Sequence, residues 1–292
     1  LTGKYFHLAG IISLLGARDK MSVGYPDYLL PLAPDFNMVE RSIVECAYAG
    51  CETIWIVCDD NTVPLLRHRV GDWIEDPVYI HRKNTRQPYN YRKEIPIFYV
   101  PTHPDDMDRR DCASWGILSA AQTATKVSSQ LSKWTKPRAF FVSFPEGISD
   151  PTLVRDYREA VSSDFGFCFA TPSGETFQDG KKLGFTFGYE LLTPLIRNFR
   201  SEATTLFKEG LKLPREKRYS GRFFSLKKAF KCINIKHYMQ KKTLFYYDAG
   251  DWKGYRNYIA SEESATIKRP SEAILKFREF NRIPQEETNE NR

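Results

Sequence analysis

The stretch "IISLLGARDK" (residues 11–20) ends an apolar run in Gly16-Ala17-Arg18, with Lys20 two positions on. That layout suits an anion. Glycine lets backbone N–H groups come close to a phosphate, and a guanidinium offers donors in a fixed fork. Ser13, Leu15, Gly16, Ala17, Arg18 and Lys20 are the candidate nucleotide- or phosphate-binding residues, with Arg18 the candidate catalytic one. An ordinary structural turn would use the same residues, so the loop by itself decides nothing.

Other chemistry-bearing stretches are weaker. Asp59-Asp60-Asn61 follows a strand-like run as a metal-binding D-x-D would, but a helical pattern starts at Val63 and helix capping is the better reading. The mixed-charge "HPDDMDRRD" (103–111) reads as a loop rather than a metal site. "REKRYSGRFFSLKKAFK" (215–231) interleaves basic and aromatic residues as a nucleic-acid contact does. A solvated amphipathic helix with Phe223, Leu226 and Phe230 turned inward is favoured over that. The 6 cysteines form no C-x-x-C pair, which points to buried free thiols rather than zinc or disulfides. A net charge of +7 favours anionic partners, as a weak signal.

These residues need elements to position them. Residues 9–15 read as a first strand. Asn37 then caps a helix, with Glu40 completing a capping box and Phe36 as a staple. Val39, Ile43, Cys46 and Ala47 share one helical face, and Gly50 closes it. "TIWIVCDD" (53–60) has the apolar, β-branched make-up of a doubly covered strand. The pattern continues with a helix over 63–73, strands "VYIHR" (78–82) and "IPIFYVP" (95–101) around a polar loop, and a helix from Asp111 to about residue 132. "AFFVSFP" (139–145) is another central strand, and Asp150-Pro151 opens a helix ending near 161. Two strands then flank the turn-rich "SGETFQDGKK" (173–182). From about 194 the chain is helical and basic, interrupted by the strand "TLFYYDAG" (243–250) before the helical "DWKGYRNYIA" (251–260). Such alternation implies parallel strands with crossover helices and ligands at the strands' carboxyl ends.

"YPDYLLPLAPDFNMVERSIVECAYAGCETIWIV" (25–57) resembles the N-terminal half of sugar-1-phosphate nucleotidyltransferases and MobA-like NTP transferases, of the nucleotide-diphospho-sugar transferase superfamily. Their pattern is a LAAGxGTR loop, then PKxLLPV, a helix, a glycine and a buried strand. "IISLLGAR" (11–18) lies over the loop and "PDYLLPL" (26–32) over the second element. "LFYYDAGDWKGYRNYIA" (244–260) looks like WxDIGTPEDYxxA, with Asp248 and Gly250 matching, Asp251 at the threonine and Tyr255 near the tyrosine. "FFVSFPEG" (140–147) resembles VLVLNGD and lays Glu146 over its aspartate. The resemblance covers most of residues 9–260 in order.

It implies an α/β, Rossmann-like GT-A layered sheet, mostly parallel, with helices on both faces and a helical C-terminal part. Residues 1–262 would form the nucleotidyltransferase-like domain and 263–292 a C-terminal helix and polar tail. The implied reaction joins a nucleoside triphosphate and a sugar phosphate into a nucleotide sugar plus pyrophosphate. Its cofactor is Mg²⁺, with Glu146 and Asp248 as the metal ligands that the resemblance assigns, because charge gathers on the attacked phosphorus.

Two residues depart from the pattern. Leu14 stands at the loop's first glycine, and Asp27 at the lysine. Replacing +1 by −1 beside a triphosphate changes attraction to repulsion of about 1–4 kcal/mol per charge pair at 4 Å. A second reading is therefore a non-catalytic protein that kept the fold, with an oligomer or larger assembly left open. A third is a GT-A glycosyltransferase using Asp59 or Glu146 on the metal; "PDYLLPL" and "DAG" favour the nucleotidyltransferase branch over it. No apolar run reaches the roughly 18–20 residues of a membrane span, and residues 1–7 lack a signal layout. The expectation is a cytoplasmic protein.

Overall fold

The computed structural model describes residues 6–16, 21, 23–78, 93–103, 106, 110–131, 136–210, 224–271 and 274–276. Its strands are β1 (Leu8–Ser13), β2 (Pro31–Ala33), β3 (Phe36–Asn37), β4 (Thr53–Cys58), β5 (Trp73–Glu75), β6 (Glu94–Pro101), β7 (Ala139–Ser143), β8 (Gly147–Ile148), β9 (Phe167–Ala170), β10 (Phe185–Gly188), β11 (Met239–Lys242), β12 (Tyr247–Asp248) and β13 (Leu275–Lys276). Its helices are α1 (Met38–Ala49), α2 (Val63–Val70), α3 (Ala113–Leu131), α4 (Arg158–Val161), α5 (Tyr189–Gly210), α6 (Leu226–Ala229), α7 (Trp252–Ile259) and α8 (Glu262–Thr266).

One sheet runs in the order β11-β9-β10-β7-β1-β4-β6-β5-β13. β1, β4, β6 and β7 are parallel, whereas β10 opposes β7 and β5 opposes β6. This is the mostly parallel α/β sheet expected. β1 is buried along its whole length, and its side chains divide by alternation. Leu8 and Ile12 enter one apolar cluster, Ala9 and Ile11 the other. β4 and β7 divide the same way, so the sheet separates two cores. α1 packs on the first face through Val39, Ile43, Cys46 and Ala47. α3 and α5 cover the other through Trp115, Leu118, Leu195 and Phe199. No helix of the described residues is long and apolar enough to cross a membrane.

Local signals worked where they were local. Asn37 accepts the Glu40 N–H at 2.9 Å and Glu40 Oε2 accepts the Asn37 N–H at 3.0 Å, the reciprocal box. Gly50 closes α1 with φ 92°, a left-handed turn that favours glycine.

Several elements differ from expectation. The helix after β4 stops at Val70, because Trp73–Glu75 is recruited as β5 against β6. The expected strand at 78–82 lies, beyond Val78, outside the described residues. The segment after Asp150 winds first as a 3-10 turn (Leu153–Tyr157) before α4. "TLFYYDAG" is not one strand. An edge strand, β11, ends just before it, and within the stretch only Tyr247–Asp248 pairs, with Gly147–Ile148. Of the expected amphipathic helix, Phe223 lies outside the described residues, Leu226 opens the short α6, and Phe230 is buried just beyond it.

Candidate functional site

The carboxyl ends of β1 and β7 open onto a cavity of about 440 Å³ lined by the strand ends, the start of α3, Glu146 and Lys182. Ser13, Leu14, Leu15 and Gly16 all border it. Gly16 has φ 72°, and an idealised Cβ on it would lie 3.2 Å from the Cys112 Cα, so a side chain there meets both backbone strain and the start of α3. Its N–H donates to Asp111 Oδ1 at 3.1 Å. Asp111, where the sequence placed the start of the long helix, ties down the candidate phosphate loop. Ser13 Oγ is buried without a hydrogen-bond partner among the described residues. It packs under α3, where a Cβ on Gly116 would strike it. Ala17, Arg18 and Lys20 fall outside the described residues.

Asp27 does not face this cavity as the repulsive charge expected of it. It is 4% exposed within the 3-10 turn Asp27–Leu29. Tyr28 lines the cavity instead, and burial pushes its phenol up to about 12. The neighbouring "LPL" segment anchors α7: Tyr255 and Tyr258 donate to the Pro31 and Leu32 carbonyls at 2.8 and 2.9 Å.

Glu146 and Asp248, far apart in sequence, are brought together by backbone pairing. Asp248 pairs with Gly147 in the β8–β12 ladder, and the Ala249 N–H donates to the Glu146 carbonyl at 2.7 Å. An idealised Cβ on Gly250 would lie 3.0 Å from Asp248 Oδ1 and 3.3 Å from Glu146 Oε2, so both carboxylates reach a common point.

The cation at that point is Lys182. Its ammonium bonds Glu146 Oε2 and lies 3.2 Å from Asp248 Oδ1. The Lys182 N–H donates to the Tyr246 hydroxyl at 3.1 Å, and its carbonyl packs against Gly147 so closely that no Cβ fits there. Burial alone would lower the Lys182 pKa. The two carboxylates outweigh it and hold the ammonium protonated above its usual range. Lys182 also borders a second cavity of about 510 Å³, with Lys181, Tyr247, Asp248 and Lys253 on its walls. Two cavities thus meet at one Glu146–Lys182–Asp248 cluster.

The cluster rests on buried support. Arg41, 1% exposed, donates to the Phe144 carbonyl at 2.6 Å, just ahead of Pro145-Glu146. Its other nitrogen lies 3.4 Å from Glu45 Oε2, which also accepts the Ser143 hydroxyl. Burial pushes the Glu45 carboxyl up against the opposing pull of Arg41 and Ser143. Sequence reading missed Lys182 and Arg41. Lys182 sat in a stretch classed as turn, whereas Arg41 and Glu45, spaced i,i+4 within an apolar helix, were a visible signal.

The expected Mg²⁺ is tested by these donors. The carboxylates converge, but an ammonium of the chain already engages both. No group of three or more His, Cys, Asp or Glu residues among those described converges as a metal site. As arranged, the cluster does not fit a resident divalent ion. At the D-x-D-like stretch, α2 starts from Thr62, whose N–H and hydroxyl both donate to the Asp59 carbonyl at 2.9 and 2.8 Å.

The fold is an α/β one, with the site at the carboxyl ends of its parallel strands. A crystal structure of a protein from Bacillus anthracis, assigned as a glucose-1-phosphate thymidylyltransferase and in complex with a sucrose, is similar over 91% of this chain and 98% of that one. The TM-score is 0.50 and the identity 8%, a likeness of fold alone. Rv0371c from Mycobacterium tuberculosis H37Rv is similar over 88% of this chain and 99% of that one at 11% identity, with a TM-score of 0.48 that adds no argument. No protein-family model and no curated protein matches the sequence.

Proposed function

We propose that the chain handles a nucleoside triphosphate and a sugar phosphate, as a nucleotidyltransferase that forms a nucleotide sugar and releases pyrophosphate. The observation that carries this reading is the meeting of two cavities at Glu146, Lys182 and Asp248. The nucleoside phosphate belongs in the cavity beside Gly16 and α3. There Ser13, Leu15, Gly16, Ala17, Arg18 and Lys20 are its proposed contacts, and Arg18 steadies the phosphates. The sugar phosphate belongs in the second cavity, among Lys181, Lys182 and Lys253. A sugar-phosphate oxygen attacks the α-phosphorus, the bond to the β-phosphate bridging oxygen breaks, and that oxygen leaves on pyrophosphate. An ammonium at the junction stabilises the charge that develops.

A thermal-shift series with nucleoside triphosphates and nucleotide sugars tests the binding, since ligands selective for the folded state raise the melting temperature. Stabilisation together with pyrophosphate release supports the reading, and no stabilisation by any of them refutes it. A second, non-catalytic reading is favoured by the internal bond from the Gly16 N–H to Asp111. Its signature is stabilisation by nucleotides with no pyrophosphate released.

A further inference from the structure

We propose that Lys182 is the built-in counter-ion of the Glu146–Asp248 pair, so that the site works with a tethered ammonium in place of a divalent metal ion. The part concerning bound phosphates rests on the nucleotidyl-transfer reading above; the part concerning the metal does not.

The geometry is that of a built position rather than a chance surface contact. The Lys182 backbone is fixed on both sides. Its N–H is held by the Tyr246 hydroxyl at 3.1 Å, and its carbonyl lies where a Cβ on Gly147 would otherwise be. At the far end of the side chain, a Cβ on Gly250 would collide with the ammonium, so glycine keeps that space open. The Gly250 N–H meanwhile donates to Asp248 Oδ1 at 2.9 Å and orients that carboxylate. Lys182 is 23% exposed and Glu146 15%, so the pair is partly withdrawn from water, where a charge is not readily left without a partner.

A divalent ion entering here must take both carboxylates from the ammonium and leave two like charges side by side. Mg²⁺ also demands near-octahedral oxygen donors at about 2.1 Å and holds its waters tightly. Two carboxylates already shared with a lysine are a poor offer. The ammonium needs no such shell, because it arrives with the fold. Its single positive charge, facing both cavities, favours phosphate groups on either side.

The test uses metal alone. Mn²⁺ is titrated into wild-type protein, Lys182→Met and Lys182→Met/Glu146→Gln, with binding read by electron paramagnetic resonance and calorimetry and folding by melting curves. The wild type is expected to show no stoichiometric site. Lys182→Met is expected to gain one site at least tenfold tighter than anything in the wild type, and the double variant to lose it. One Mn²⁺ bound equally well by wild type and Lys182→Met overturns the proposal, as does a folded Lys182→Met that gains none. Wild-type crystals grown with Mn²⁺ decide the matter even if the variant fails to fold. Anomalous density between Glu146 and Asp248 overturns the proposal, and an ordered ammonium there supports it. Because no nucleotide is present, failure of the nucleotidyl-transfer reading does not alter these outcomes.

Discussion

The Asp111 carboxylate accepts the Gly16 N–H at 3.1 Å across 95 residues of chain. An internal anion thereby occupies a donor that the proposed function assigns to a phosphate. Asp111→Asn keeps an acceptor oxygen and removes the charge. It is expected to tighten nucleoside triphosphate binding about fivefold, from the roughly 1 kcal/mol that a unit charge pair at 4 Å is worth in water. Calorimetry at low and high salt checks this, with the gain shrinking as salt screens it. Weaker binding by the variant would make Asp111 a ligand contact instead.

Arg41 holds the Phe144 carbonyl and the Glu45 carboxylate from a fully buried position. Arg41→Met leaves a buried carboxylate without its cation and is expected to destabilise the fold by about 3–5 kcal/mol in urea unfolding. Arg41→Met/Glu45→Leu is expected to recover much of the loss, since removing both charges removes the uncompensated one. Equal stability of the single and double variants would contradict the coupling.

Gly147 is a steric requirement of the cluster, because its Cβ would overlap the Lys182 carbonyl. Gly147→Ala is expected to lower stability by about 1–3 kcal/mol through overpacking. It is also expected to shift Lys182 off the carboxylates, seen as moved side-chain ammonium and carboxylate resonances. An unchanged melting temperature would show that the backbone yields there at no cost.

Thiol reactivity separates the cysteines. Cys232 is exposed and the other five are buried, with burial pushing Cys58, Cys112 and Cys168 up to about 12. Native protein at mildly alkaline pH is expected to release about one equivalent of chromophore rapidly with a disulfide reagent, and Cys232→Ser none. Fast labelling of a second thiol would mark an opening of the core.

Tyrosine ionisation gives a pH signature. Burial pushes Tyr28 and Tyr258 up to about 12, from 10.0. Above pH 10.0 the unfolded chain has lost protons that the folded chain still holds, so stability falls as pH rises. The contribution is whole below pH 10.0 and is lost through about 12. Tyr258→Phe removes the Tyr258 part of that alkaline slope, together with its bond to the Leu32 carbonyl. The difference between the absorbance titrations of wild type and of Tyr28→Phe or Tyr258→Phe isolates each phenol, and a missing phenolate near pH 10 in the native state of either variant would contradict that tyrosine's burial.

The strands of the sheet's centre were legible because β1, β4 and β7 are short, almost continuously apolar runs, as strands covered on both faces are. The capping box was legible because both partners lie within one turn. Asp248 and Gly147 were visible as separate motifs, but their pairing depends on a two-residue ladder between distant segments that no periodicity announces. Lys182 carried no pattern at all. Its neighbours read as a turn, and its partner Asp248 is 66 residues away.

Sequence alone therefore determined the layered α/β class, the capped α1 and the strands of the sheet's centre, and a family resemblance added Glu146 and Asp248 as candidates. Burial period and caps act over a few residues and leave their mark in composition. Only the tertiary structure decided which charge faces which: Asp27 turned inward, Asp111 bonded to the Gly16 loop, and Lys182 seated between the two carboxylates. Those pairings follow from where distant backbones cross, and electrostatic energy depends on distance in space rather than on separation along the chain.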